Sequence, residues 1–549
     1  MPLQPIRLWE DTMHGQMMTL PLTIPSILDF AERFHPDVAI TTRTVEGPIH
    51  RYGYADAARR TRRLANALTA LGIRPGDIVG TLAWNTHRHF ELYYAIAGSG
   101  AVCHTVNPRL FPDQIAFIIN HAQDRLLFVD LTFAGLLEGM ADKLSSVGGY
   151  VILTDRDHMP ETRLSPVYRY EDLLAAQSDR FAWVPIDEGD AAALCYTSGT
   201  TGNPRGVLYS HRSSVLHAMA VKGADGFALS ARDVALAVVP MFHVNAWGLP
   251  YVAPMTGAAL ALPGAKMDGA SLCALIAAAR VTVAAGVPTV WMALLAHARS
   301  QGISLAPLQR VVVGGAACPA ALMEAFAAFG VETIHAWGMT ETSPLGAVNQ
   351  PIAATFALPA EEQAAQRLKQ GRPLFGVDLK IIAPDGSELA RDGTAFGPLK
   401  IKGHWICDSY FRLDNSPSHD DQGWFDTGDV ATIDGMGYVQ IVDRAKDVIK
   451  SGGEWISSIE LENIAIAHPA VFEAAAIARP SEKWGERPVV VVVLKPGQTA
   501  TPDELKTFFQ GRVAKWCEPD EVIVASEIPH TATGKILKTA LRKLYGGAT

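Results

Sequence analysis

A run of hydroxyl and glycine residues, YTSGTTGNPRGV at 196–207, is the stretch best equipped to hold an anion. Thr197, Ser198, Gly199, Thr200, Thr201 and Gly202 supply backbone N–H and hydroxyl donors at low steric cost, and Arg205 adds a positive charge. Donors of this kind wrap polyphosphate oxygens. The spacing is not that of the nucleoside-triphosphatase loop G-x-x-x-x-G-K-[ST]: five residues on from Gly199 is Pro204, and from Gly202 is Val207. A plain surface loop is the usual fate of such a cluster, so residue content alone favours that reading.

Such a loop needs a rigid element to launch it, and the apolar AAALCY before Thr197 reads as a buried strand. The chain has 549 residues, more than one core supports, since cores stop growing near roughly 250–300 residues. Two or three domains are therefore expected. Hydrophobic residues make up 48% and charged residues 19%, which excludes compositional disorder. A net charge of −9 gives no sign of a nucleic-acid partner. Six cysteines without a C-x-x-C pair argue against a zinc cluster or disulfide scaffold and suit a reducing, cytoplasmic setting. The first residues lack a long apolar stretch, so no secretory signal is expected. Residues 234–265 carry no Asp, Glu, Lys or Arg, but four prolines and a histidine there exclude a membrane helix and point to a buried wall or an apolar pocket.

Short apolar runs at 126–129, 150–153, 235–239, 281–284 and 311–313 alternate with helical patterns, among them an amphipathic helix over 55–72. That interleaving predicts an α/β fold of layered, largely parallel sheets. Residues 353–372 read as helical. From Val377 alternation around a Pro-Asp-Gly turn predicts a small antiparallel sheet. After Asp443 a further α/β stretch begins, with 489–494 as a fully buried strand.

The order of residues in 196–207 resembles the phosphate loop of the adenylate-forming enzymes, which include acyl-CoA synthetases, luciferases and peptide-synthetase adenylation domains. VVPMFHVNAWG, VVVGGAACP, HAWGMTETSP, GWFDTGD, DRAKDVIKSGGEWISSIELEN and PHTATGKILK resemble that family's further motifs, in its order and over nearly the whole chain. Within it the sequence is most similar to bacterial medium- and long-chain fatty acyl-CoA synthetases, and similarly to methylmercaptopropionate-CoA ligases. The resemblance implies a large N-terminal domain of layered α/β sheets plus a small β unit (1–445) and a small mobile α+β C-terminal domain (446–549), hinged at Lys446.

It also implies roles. Glu341 matches the magnesium-binding carboxylate, with Thr197 as partner; otherwise it belongs to a helix start. Asp429 matches the acceptor of both ribose hydroxyls, and Arg444 a second nucleotide contact or else an ion pair. Trp337 stands where many relatives carry Tyr and would stack on adenine, flanked by Gly315, Ala316, Ala336, Gly338, Met339 and Thr340. Lys535 matches the lysine that stabilises adenylation. Gly452, Gly453, Glu454 and Trp455 resemble the segment lining the CoA tunnel, although paired glycines equally suit a tight turn, and Lys450 matches a lysine linked to the thioester state in luciferase-type relatives. His243 falls at the carboxylate end of the acyl pocket, Trp247 gates it or is core, and Gly314 leaves room for the chain. Glu486 and Arg487 read equally well as a structural ion pair. The implied activity is ATP- and Mg2+-dependent acyl-CoA synthesis through acyl-AMP by a homodimer that meets membranes only transiently. Its rivals are a ligase for a short thioether or arylalkanoic acid, a carrier-protein-loading enzyme, and a non-catalytic lipid- or nucleotide-binding relative.

Overall fold

The computed structural model describes residues 15–197, 203–413, 418–452, 454–530 and 536–546. Among these, the chain forms four sheets. The first has seven strands, with Ile78–Leu82 and Val102–Thr105 at its centre and Ala191–Tyr196 beside them, all parallel. Only the edge strand Gly206–Ser210 runs antiparallel, folded back on Ala191–Tyr196. The second has eight strands. Six inner ones are parallel, including Val234–Ala237, Val283–Gly286, Arg310–Val313 and Glu332–Gly338, and an antiparallel strand flanks each edge. Strands buried on both faces need no alternation, which is why these segments read as continuous apolar runs.

The alternating region forms a four-stranded antiparallel sheet, Val377–Ile381, Phe396–Gly403, Phe425–Ile433 and Val439–Arg444. The last sheet is built on the long hairpin Val471–Ser481 and Gly485–Leu494, with helix Ser458–Ala467 against it. Residues 488–492 of that strand are buried, whereas Val493 and Leu494 reach its half-exposed end.

The charge-free stretch is a strand, a tight turn, the short buried helix Leu249–Thr256 and a second strand, and no described helix is long and apolar enough to cross a membrane. The helical pattern at 353–372 resolves into two pieces, Ala353–Phe356 and Ala360–Leu368. Pro359 separates them, because a proline disfavours helical backbone in the residue before it.

One polar cluster fastens the helices over the first sheet. Glu91, fully buried, accepts from Arg60 Nε (2.7 Å), Tyr52 Oη (3.0 Å) and Tyr170 Oη (2.6 Å). Arg60 and Arg88 both continue to Glu171. Removing the central carboxylate would strand a guanidinium and two phenols. Glu91→Ala is expected to destabilise the fold by about 3–5 kcal/mol, read as an earlier unfolding midpoint in urea.

Candidate active site

A cavity of about 1440 Å³ opens where the sheets meet. Its walls come from loops that leave the carboxyl ends of parallel strands. Val239 follows Val234–Ala237, Val287 follows Val283–Gly286, Gly314 follows Arg310–Val313, and Thr197 follows Ala191–Tyr196. Crevices at such strand ends are where α/β sheets bind ligands.

At one side the loop expected to hold an anion is closed at its base. Thr197 N donates to Arg205 O (2.9 Å), and Arg205 N donates to Thr197 Oγ1 (3.2 Å). Ser198, Gly199, Thr200, Thr201 and Gly202 lie outside the described residues. Arg205 sets its guanidinium over the ring of Tyr410, Cζ 5.2 Å from the centroid. Tyr410 Oη in turn donates to Glu341 Oε1 (2.7 Å). Glu341 is 5% exposed and sits in the middle of the single turn Thr340–Thr342. Burial, then the Glu341 charge, pushes the Tyr410 phenol far above its ordinary range, so it remains a donor. Tyr410 has no counterpart in the sequence reading: it stands alone in CDSYF, and nothing in its spacing ties it to Glu341.

Across the cavity, Asp429 is 2% exposed. Its Oδ1 meets Arg444 Nε at 2.8 Å and its Oδ2 accepts from Trp337 Nε1 at 2.9 Å. The Arg444 ion pair is therefore with a buried carboxylate, not with a surface one. The indole of Trp337 is drawn edge-on to that carboxylate and packs over Gly346, where a Cβ would stand 2.4 Å from the ring. Gly315, Ala316, Ala336, Gly338, Met339 and Thr340 all line the same wall. At Gly338 no side chain fits, since a Cβ would lie 1.6 Å from Pro344 O.

The apolar end is walled by the former charge-free stretch. Val244, Asn245, Ala246 and Trp247 take φ of 48°, 49°, 49° and 54°, a left-handed turn capped by Gly248. Each such non-glycine residue is disfavoured by roughly 1–2 kcal/mol, so the surrounding packing imposes the turn. It delivers the half-buried His243 and Trp247 to the cavity wall. Gly314, expected to leave room for an acyl chain, lines the cavity; a Cβ there would stand 2.8 Å from Ala336 O and 3.0 Å from Trp247 Cη2, so the indole lies against it. Deeper in, burial pushes His217 and His335 down to about 3 and about 4, leaving both rings neutral at physiological pH.

The C-terminal part of the chain closes the cavity through Lys446, Glu462 of helix Ser458–Ala467, Ile536, and Lys538 at the start of helix Lys538–Tyr545. Lys538 Nζ pairs with Glu462 Oε1 at 2.6 Å. Burial alone would lower its ammonium, but Glu462 and Asp443 outweigh it and hold Lys538 above its ordinary value. This lysine too was missed, being overshadowed by the motif lysine three residues earlier. Lys535 and Gly453 lie outside the described residues. Gly452 takes φ +62° in the turn between Ile449–Ser451 and Glu454–Ile456. Trp455 packs at a tilt against Phe396 (ring centroids 5.5 Å apart), with Lys450 Nζ 5.9 Å from its ring. Neither Gly452 nor Trp455 lines the cavity in this arrangement. Glu486 and Arg487 do not pair with each other. As neighbours in one strand they point to opposite faces. Glu486 accepts from Lys450 N (2.7 Å), while Arg487 Nε binds Asp520 (2.8 Å).

Residues 29–411 match the AMP-binding enzyme family and 460–535 match the AMP-binding enzyme C-terminal domain. The chain belongs to this family of adenylate-forming enzymes. It is 50% identical to a 3-methylmercaptopropionyl-CoA ligase of Ruegeria pomeroyi, over 97% of this chain and 99% of the relative. It is 48% identical to a medium-chain-fatty-acid–CoA ligase of Ectopseudomonas oleovorans, over 97% and 98%. Its structure is similar to that of an anthranilate CoA ligase in complex with anthranoyl-AMP, with a TM-score of 0.85 and 26% identity over 96% and 98% of the two chains. Its activity is that of an ATP-dependent acid–thiol ligase, forming an acyl-CoA.

Lys in place of Arg205 would keep the charge beside the Tyr410 ring. Arg205→Lys should raise the KM for ATP by no more than about threefold, and Arg205→Ala by roughly tenfold or more, as for loss of a charge-assisted contact. Initial-rate kinetics with ATP varied distinguish the two.

Proposed function

We propose that this ligase activates a fatty acid of medium chain length in two steps on the surfaces just described. The carboxylate oxygen attacks the α-phosphorus of ATP and pyrophosphate leaves, giving an acyl-adenylate. The CoA thiol then attacks the acyl carbonyl and AMP leaves. The observation that carries this reading is the meeting, in one cavity, of Arg205, Glu341 and Asp429 with an apolar recess closed by Trp247.

In this reading the base of the anion loop, Thr197 and Arg205, holds the departing phosphates. Asp429, pre-aimed by Trp337 and Arg444, takes the ribose hydroxyls. His243 lies beside the reacting carboxylate, and Lys535 bridges it to the α-phosphate in the first step. Glu341 fits a Mg2+ ligand: it is buried with one neutral donor, and among the described residues its second oxygen has no hydrogen-bond partner. Magnesium asks for few protein oxygens beyond those of the nucleotide, so Glu341 and Thr197 suffice. When bound, the ion would neutralise charge on the triphosphate as pyrophosphate departs.

Residues 1–445 and 446–549 act as two domains. Rotation about Lys446 would exchange the Ile536 and Lys538 face for the Lys450–Trp455 turn, bringing Gly452, Gly453 and Glu454 to the CoA tunnel. Lys446 suits a pivot, standing exposed between Val439–Arg444 and Ile449–Ser451. We place the enzyme in the cytoplasm as a homodimer, touching membranes only to collect substrate. A short thioether acid is the second reading, favoured by the 50% and 51% identical relatives and by the indole occupying the recess.

Purified protein given ATP, Mg2+, CoA and a panel of acids should release pyrophosphate and thioester together, with an optimum at medium chain length. An optimum at 3-methylmercaptopropionate would select the second reading. Pyrophosphate without thioester would move the acceptor from CoA to a carrier protein. Separately, Lys535→Ala should abolish adenylate formation while leaving thioester synthesis from supplied acyl-AMP largely intact. Equal loss in both half-reactions would remove Lys535 from its assigned step.

A further inference from the structure

Residues 407–413 run across the phosphate side of the cavity as a strap tied to two of its walls. Cys407 N donates to Glu341 O (2.8 Å), and Phe411 N donates to Gly206 O (2.8 Å). The second tie needs Gly206 bare, because a Cβ there would come within 3.1 Å of both Phe411 and Leu194 side-chain atoms. Tyr410 stands between the ties, 6% exposed, with its ring flanked by Phe425 at 6.4 Å. From that one side chain the hydroxyl reaches Glu341 Oε1 (2.7 Å) and the ring face carries the Arg205 guanidinium.

A buried carboxylate held by one neutral donor keeps its charge but loses its rotational freedom. One oxygen is fixed, so the other is aimed. A guanidinium lying on an aromatic face is likewise restrained without being neutralised. Both groups therefore stay electrostatically available to the cavity, yet neither can turn away from it. An ionic partner would have held them as firmly and cancelled the charges that the site uses.

We propose that Tyr410 is a positioning residue that sets the Glu341 carboxylate and the Arg205 cation in register with each other. Its hydroxyl serves the carboxylate, while hydroxyl and ring together serve the cation, so Tyr410→Phe removes the partner of Glu341 and leaves the ring beneath Arg205. The inference rests on reading Glu341 as a ligand of the nucleotide-bound cation.

The test uses the full-length protein and Mn2+ as the probe, with bound and free ion measured by electron paramagnetic resonance in the presence of ATP. Glu341→Gln is the reference. Tyr410→Phe, which keeps the ring, should weaken Mn2+ binding roughly tenfold, as expected when the group orienting a metal ligand is lost. It should also lower the kcat of adenylate formation by a similar factor, with metal-free ATP binding in EDTA weakened clearly less than Mn2+ binding, because the ring stays beneath Arg205. Tyr410→Ala should additionally weaken metal-free ATP binding, because Arg205 loses its support. Thioester formation from supplied acyl-AMP reports whether each variant is folded. Wild-type Mn2+ affinity in Tyr410→Phe, alongside weakened affinity in Glu341→Gln, would overturn the role of Tyr410 and leave the metal reading standing. Equal loss of metal-free and metal-dependent binding in Tyr410→Phe would overturn it as well. Unchanged Mn2+ affinity in Glu341→Gln would remove the metal reading and the proposal with it.

Discussion

Parallel strand pairing is the constraint on which this molecule depends. Six neighbouring strands of one sheet and six of another run the same way, so the loops that follow them emerge along common edges. Chain segments well separated in sequence, 139 positions from Thr197 to Ala336, therefore meet without any long-range motif to join them. Thr197, Val239, Val287, Gly314 and Ala336 are far apart in sequence, yet each stands at or just past the end of such a strand. The cavity is the gap left where those edges face each other and the antiparallel sheet closes the third side.

Within that gap, polar groups are restrained in part by partners that do not discharge them. Trp337 orients Asp429 through a neutral indole N–H, and Tyr410 orients Glu341 through a neutral phenol. Charged pairs hold the Glu91 cluster outside the cavity, and two ion pairs stand on the cavity wall itself, Arg444 on Asp429 and Lys538 on Glu462. A buried charge with a full counter-ion is held tightly and offers little to a ligand.

Most of the layered fold was legible because strands buried on both faces are continuous apolar runs, as at 126–129 and 311–313. Contiguous motif residues were legible in the same way, since Thr197 and Arg205, or Asp429 and Arg444, carry their spacing with them. What escaped were contacts made across elements. Tyr410 lies 69 residues from the carboxylate it holds, and the Lys538 pair bridges 76 positions, from Glu462 to Lys538. Glu486 and Arg487 misled for the opposite reason: adjacency suggested a pair that the pleat forbids. Gly314 was read for the room it leaves, but sequence carries no record of which neighbour moves in.

That neighbour changes what selecting an acid means. If the acyl chain of the proposed substrate runs above Gly314, it and the indole of Trp247 claim the same volume, and the recess would be exchanged rather than filled. A chain would then enter only if its own buried methylenes, at about 0.8 kcal/mol each, outweigh the ring contacts it displaces. Discrimination by length would have a threshold below which chains gain nothing, whereas the walls of an open pocket would impose only a ceiling. The left-handed turn that carries Trp247 lies on the same balance, because the backbone it holds is one that relaxation would favour leaving.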